Sequence, residues 1–218
     1  MTEQQTVYIY YAALGCCALI ALIRFRQSDM AVRFLCIYIL YGLLTELLSV
    51  YSIRKLHNNF MAYNLYDYVS FALLSNYFYL SVSTVKSRRV VIGIIVLTLC
   101  ALVLNIVYRI DFKHTHQYIF MDIGYLLLIT MALYSIYRLI LKDERSRIYR
   151  QPSFWIATLF VFYEFVNLWG KSSFYPFRMT FTPNNDYFHF MILVANIILY
   201  SALAYLLWQY PKMKNIEQ

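Results

Sequence analysis

Four acids lie inside long apolar runs of this chain: Glu46, Asp67, Asp122 and Glu164. An ionised carboxylate at the centre of a bilayer costs about 2.5 to 3.5 kcal/mol on insertion scales. Such groups therefore face a bundle interior, a partner or water, and they mark places that hold ions, relay protons or take polar ligands. Amides, a lysine and an imidazole keep them company. Asn64 stands one turn before Asp67, Asn167 and Lys171 follow Glu164 at i+3 and i+7, and Asn196 lies two turns beyond His189. Glu46 shares a helical stripe with Tyr38, Gly42, Thr45 and Ser49. The candidate binding residues are thus Glu46, Asn64, Asp67, Asp122, Glu164, Asn167, Lys171, His189 and Asn196. The competing reading is structural. Polar side chains between membrane helices fix packing at about 0.6 to 2 kcal/mol each, Asp67 and Asp122 suit the positive end of a helix, and Lys171 can snorkel to the interface.

These residues need long apolar helices to hold them. Hydrophobic residues make up 61% of the chain and charged residues 14%, against an apolar share of about 45 to 50% in soluble domains. The mean hydropathy is +0.54. The expected fold is all-α, a polytopic membrane protein forming a single seven-helix transmembrane domain over residues 1–218. Apolar runs long enough to span cover residues 7–23, 33–53, 62–82, 90–107, 118–137, 153–170 and 187–208. The connections are short and polar, so chemistry belongs to the bundle or its two faces. Pro152 is expected before the sixth helix, and Pro211 is expected to end the seventh. Asn58 and Asn59 read as turn and cap residues. The four cysteines, Cys16, Cys17, Cys36 and Cys100, lie in apolar runs without ligand-like spacing and read as reduced thiols.

Charge sets the orientation. Thirteen of the Lys and Arg residues fall in connections on one side and six, Arg54, Lys55, Arg109, Lys113, Lys171 and Arg178, on the other. By the positive-inside rule the N-terminus is outside and the C-terminus cytoplasmic. Trp155 and Trp208 then mark the inner interface and Trp169 the outer one. No cleavable signal peptide is evident, since no Lys or Arg precedes the first run. The net charge of +8 follows from this topology and implies no nucleic-acid partner.

In that orientation the acids, amides and imidazole fall in the outer halves of five helices, which predicts an acidic, polar cavity open to the outside. The inner halves hold little that compares. His57, His114, His116 and His189 also map outside. Histidines and carboxylates on one face are metal-ligand types, but no spacing here is diagnostic, and whether a metal binds is left open. No cofactor motif is present. The basic inner loops, KDERSRIYR above all, offer a docking place for a cytoplasmic partner or anionic lipid.

Glu46, the Asn58–Asn59 pair, the Tyr63-Asn64-Leu65-Tyr66 segment leading to Phe71, and the later Pro152, Phe154, Trp155 and Asn167 form a pattern spread over nearly the whole chain. It resembles the small seven-helix membrane proteins of unknown function common in Bacteroidota. Ser70 stands where that pattern has a second acid, with Asp67 nearby. The resemblance implies a bacterial inner membrane and no assigned activity. No Lys occurs between Lys171 and Lys212, which removes a retinal Schiff base in the last helix. The functional expectation is a sensor or receptor-like binder of a small molecule, lipid or ion. The alternatives are an intramembrane lipid hydrolase, metal-dependent in one form, with Glu46, Asp67, Glu164 and His189 as ligands or acid/base groups, and an oligomeric pore or accessory membrane protein.

Overall fold

A computed structural model describes residues 3–82, 88–108, 118–142, 148–171 and 186–214. Among these residues there are seven α-helices and no strand. They are α1 (Glu3–Phe25), α2 (Met30–Leu56), α3 (Phe60–Val82), α4 (Arg88–Tyr108), α5 (Tyr118–Lys142), α6 (Pro152–Lys171) and α7 (Asp186–Lys214), with a 3₁₀ turn at Ile148–Arg150 before α6. Each of the seven apolar runs lies inside one helix, and the helices extend beyond the runs. Hydropathy marks the part of a helix suited to hydrocarbon, whereas its hydrogen-bond ladder continues into polar sequence.

The ends show why. Asp29 caps α2, its carboxylate accepting from the Val32 N–H at 3.0 Å, four residues before the apolar run begins. Arg33 Nε donates to the Ser28 carbonyl at 3.0 Å and holds the same turn. At the other end His57 takes the left-handed conformation, φ 55°, and its N–H closes the helix on the Ile53 carbonyl. Asn59 then begins α3, accepting from the Tyr63 N–H at 3.2 Å. Pro152 occupies the first position of α6, where a missing N–H costs nothing. Pro211 does not end the last helix: α7 continues to Lys214. Proline at that point removes only the bond to the Leu207 carbonyl, and the residues after it wind on.

Among the described residues, four helices are long and apolar enough to cross a membrane: Gln5–Phe25, Met30–Lys55, Met121–Leu141 and Phe190–Tyr210. Arg89–Leu104 is a shorter apolar helix. The distribution of polarity is inverted relative to a water-soluble fold. Tyr8, Leu97, Val107 and Leu19 are 62 to 74% exposed, while Asn76, Asn64, Asn167 and Glu164 are at most 3% exposed. Exposed hydroxyls also turn inward on their own helix. Thr130 donates to the Leu126 carbonyl at 2.8 Å and Thr158 to the Phe154 carbonyl at 2.9 Å, as hydroxyls facing an apolar surround must. This is a membrane-embedded helical protein.

The chain forms two compact units, residues 27–117 and residues 1–26 with 118–218. In the first, α3 is the middle helix, packed on α2 and on α4. It is buried right round from Leu74 to Phe78, whereas α4 exposes Val96, Leu97, Val103, Leu104 and Val107. In the second unit α6 packs on both α5 and α7, and α1 packs on α7. Tyr10 meets Tyr200 at 6.1 Å between ring centroids, and further along both helices Arg24 lies 5.1 Å over the Trp208 ring. The order of these contacts makes α1 and α7 parallel. Tyr163 with Asn196, and Gly170 with Ile192, make α6 and α7 antiparallel. The nine residues between α5 and α6 are too few to run back along the roughly 37 Å of α5, so that pair is antiparallel too.

Candidate functional site

The candidate residues divide between the units. Glu46, Asn64 and Asp67 belong to the α2–α3 hairpin, and Asp122, Glu164, Asn167, Lys171, His189 and Asn196 to the unit of α5, α6 and α7.

In the hairpin, Tyr38, Thr45 and Ser49 are 1 to 3% exposed, and with the buried Gly42 they form the seam of α2. Glu46 sits half-buried at the border of that seam. Its Oε2 is 3.5 Å from the Tyr63 hydroxyl of α3, a long contact for an O–H donor. Asn59 Nδ2 reaches back to Ser49 Oγ at 3.3 Å, so this cap residue ties the turn to α2. Tyr66 lies between two tyrosines of α2, stacked on Tyr41 at 5.9 Å and tilted against Tyr38 at 6.2 Å. Asn64 is 1% exposed and Asp67 9%. Asp67 is therefore a buried acid, not a solvated helix-start residue. Glu46 is about 15 Å from the end of α2.

In the other unit Glu164 is 3% and Asn167 2% exposed on α6. The Tyr163 hydroxyl donates to Asn196 Oδ1 of α7 at 2.9 Å, while Asn196 Nδ2 donates to the Ile192 carbonyl at 3.0 Å. One turn of α7 toward its start, Gly170 lets α6 and α7 close: a Cβ there would lie 2.8 Å from Ile192 Cδ1 and 2.9 Å from its Cγ1. Asp122 is half-buried in the second turn of α5, and Tyr125, one turn on, is buried. Lys171 is the last residue of α6 and His189 the fourth of α7, and their side chains lie outside the described residues. His114 and His116 lie outside them altogether, and His57 is exposed and serves as the cap of α2. Among the described residues no group of three or more His, Cys, Asp and Glu is placed to hold a metal. Cys16, Cys17, Cys36 and Cys100 are free thiols.

Within each unit the acids of the apolar runs, one buried and one half-buried, lie toward one end. In the unit of α5, α6 and α7 that end is the start of α5, the end of α6 and the start of α7. Trp155 and Trp208 stand at the opposite end, with Arg24 donating to the Trp208 carbonyl at 3.3 Å and Trp155 Nε1 to the Tyr149 carbonyl at 2.8 Å. The two units also share a pattern read in opposite directions. Counting from the acid-bearing end, α3 places Asn64, Asp67 and Tyr68 four, seven and eight residues in, and α6 places Asn167, Glu164 and Tyr163 at the same steps. All six are buried.

The asymmetry is one of ionisable groups rather than of polarity in general. Ser75 and Asn76, in the other half of α3, are 2% and 0% exposed. Asn76 answers half its need inside the helix, donating to the Ala72 carbonyl at 2.8 Å. The tyrosines are what sequence reasoning missed: Tyr63, Tyr66 and Tyr163 were indistinguishable from belt and packing residues. One signal was available. Tyr63 with Asp67, and Tyr163 with Asn167, are four residues apart and share a helix face.

No protein-family model, no curated protein and no solved structure matches this chain.

Proposed function

We propose that this protein is a multi-pass protein of a bacterial inner membrane that binds a small molecule, a lipid headgroup or an ion at the acid-bearing end of its helices. All seven helices belong to one transmembrane domain in this reading, with the N-terminus outside, the C-terminus cytoplasmic and the acids in the outer half. The parallel course of α1 and α7 supports it, because parallel first and last spans put the two termini on opposite faces. The inner, basic end meets membrane lipid or a cytoplasmic partner.

The observation that carries the reading is the matched burial of an amide, an acid and a tyrosine at equal steps along α3 and α6, each counted within its own unit. One buried carboxylate is explained by packing. A repeated set of an amide, an acid and a tyrosine, one in each unit, suits a binder of polar ligands, since buried acids inside apolar helices are functional sites by default. The resemblance to the Bacteroidota seven-helix proteins fits the same membrane. A metal-dependent hydrolase would need a third ligand beside these acids, and a pore would need several subunits.

Native mass spectrometry of the detergent-released protein, wild type beside Glu46→Gln/Glu164→Gln, tests this. A monomer or dimer carrying a small adduct or retained lipid that the double variant loses is the expected result. A bound divalent metal lost in the variant points instead to the hydrolase, and a ring of subunits to the pore. Identical adduct-free spectra overturn the binding role.

A further inference from the structure

We infer that the exposed stripe of α5 seats one anionic phospholipid, its phosphate held by Arg138 with Tyr134 and Tyr137 and an acyl chain lying along Ile123, Leu127 and Thr130. The inference rests on the reading above that this end of the helices meets lipid, and it names the lipid class and the residues.

Ile123, Leu127, Thr130, Tyr134, Tyr137 and Arg138 fall at i, i+4, i+7, i+11, i+14 and i+15, so one stripe of α5 carries all six. All six are exposed, whereas Tyr125, Leu128 and Ala132 on the opposite stripe are buried. From Ile123 to Tyr134 the stripe runs about 16 Å, close to half of a hydrocarbon core about 30 Å thick. That is the depth one leaflet's acyl chains fill. Thr130 does not interrupt it, because its hydroxyl is spent on the Leu126 carbonyl.

The stripe then changes chemistry. Two phenols and a guanidinium follow within four residues, and Leu141, one turn beyond Arg138, is exposed again. The guanidinium therefore stands between apolar side chains at the membrane boundary, not at a free helix end. Among the described residues Tyr134, Tyr137 and Arg138 make no hydrogen bond, ion pair or ring contact. A guanidinium offers five N–H donors and no acceptor, in a planar fork that matches phosphate oxygens two at a time. Tyrosine hydroxyls at headgroup level add donors beside it.

Charge favours an anionic headgroup over a zwitterionic one. Since α1, α5 and α7 run parallel and α6 runs against them, Arg24, Arg26 and Arg138 share one end of this unit with Trp155 and Trp208. No Asp or Glu stands at that end among the described residues of the unit. The stretch 142–150, KDERSRIYR, is net positive as well, with four cations to two acids. A zwitterionic headgroup brings its own cation into this field, whereas an anionic one brings only negative charge.

The test is native mass spectrometry of the detergent-purified full chain offered equal amounts of phosphatidylglycerol and phosphatidylcholine with identical acyl chains. The wild type is expected to retain phosphatidylglycerol about fivefold or more in preference to phosphatidylcholine. Arg138→Gln is expected to lose that preference and Arg138→Lys to keep part of it. Arg26→Gln, which removes the same charge from the same end, should behave like the wild type. Tyr134→Phe/Tyr137→Phe keeps the charge and should about halve the preference; it decides the matter where Arg138→Gln does not fold, an unchanged preference counting against the seat. Equal retention of the two lipids by the wild type overturns the inference. So does an equal loss in Arg138→Gln and Arg26→Gln, which would be general attraction to the whole basic end. A dimer that Arg138→Gln takes apart would put a second copy on the stripe and overturn the lipid. A preference lost in Glu46→Gln/Glu164→Gln but kept in Arg138→Gln would move the lipid to the acid-bearing end, sinking this inference while supporting the binding role there. The reverse result would leave the α5 seat standing and remove the acid site.

Discussion

The Tyr163 hydroxyl donates a 2.9 Å hydrogen bond to Oδ1 of Asn196, joining α6 to α7 at the depth of the buried Glu164. Asn196 is engaged on both sides, since its N–H₂ bonds the Ile192 carbonyl one turn back. The bond therefore orients α6 and, with it, the face that carries Glu164 and Asn167. Removing the donor with Tyr163→Phe strands the Asn196 oxygen and is expected to cost about 1 kcal/mol. A double-mutant cycle with Asn196→Ala, read by reversible unfolding in detergent, should give a coupling energy of about 0.6 to 1.7 kcal/mol. Additive effects would show that the two groups do not depend on each other.

Gly170 permits the close approach of the same two helices, because a methyl there would overlap Ile192. Gly170→Leu is expected to destabilise by about 1 to 3 kcal/mol through overpacking. Ile192→Ala in the same chain should recover part of that loss, since it removes the atoms that a Cβ would meet. Equal melting temperatures for wild type and Gly170→Leu would contradict the close contact.

The turn between α2 and α3 puts His57 in the left-handed region at φ 55°. A Cβ is disfavoured there, by roughly 1 kcal/mol or more, and glycine carries no such cost. His57→Gly should raise stability by about 0.5 to 1 kcal/mol after its greater freedom in the unfolded chain is counted, and His57→Val should lower it. A stabilising valine, measured in the same unfolding experiment, would mean that the turn is built differently.

The helices were legible because each is announced by an apolar run bounded by charged or turn-forming residues. Their ends were not. Asp29 caps α2 before its apolar run begins, and α7 passes through Pro211, because hydrogen bonding rather than hydropathy sets where a helix stops. The acids of the site were legible as well, since Glu46, Asp67 and Glu164 are conspicuous in apolar surroundings. Their companions were hidden. Which of the 23 tyrosines meets Glu46 or Asn196 depends on how helices face each other, and a tyrosine serves equally well in a membrane belt or in a core. Ser75 and Asn76 escaped notice because they carry no charge and stand within a run that is otherwise apolar enough to span.

The claim that water and ligand reach the buried acids from outside the cell can be tested directly by cysteine accessibility. Cys16, Cys17, Cys36 and Cys100 would be replaced by serine or alanine, and single cysteines placed at Glu46, Glu164 and Asn76. Intact cells and inverted membrane vesicles would each be treated with a membrane-impermeant thiol reagent. Labelling at positions 46 and 164 is expected in intact cells, with little in inverted vesicles and none at position 76 from outside. Labelling of 46 and 164 from the cytoplasmic side alone, or from neither side, would contradict an outward-facing site and return these acids to a packing role.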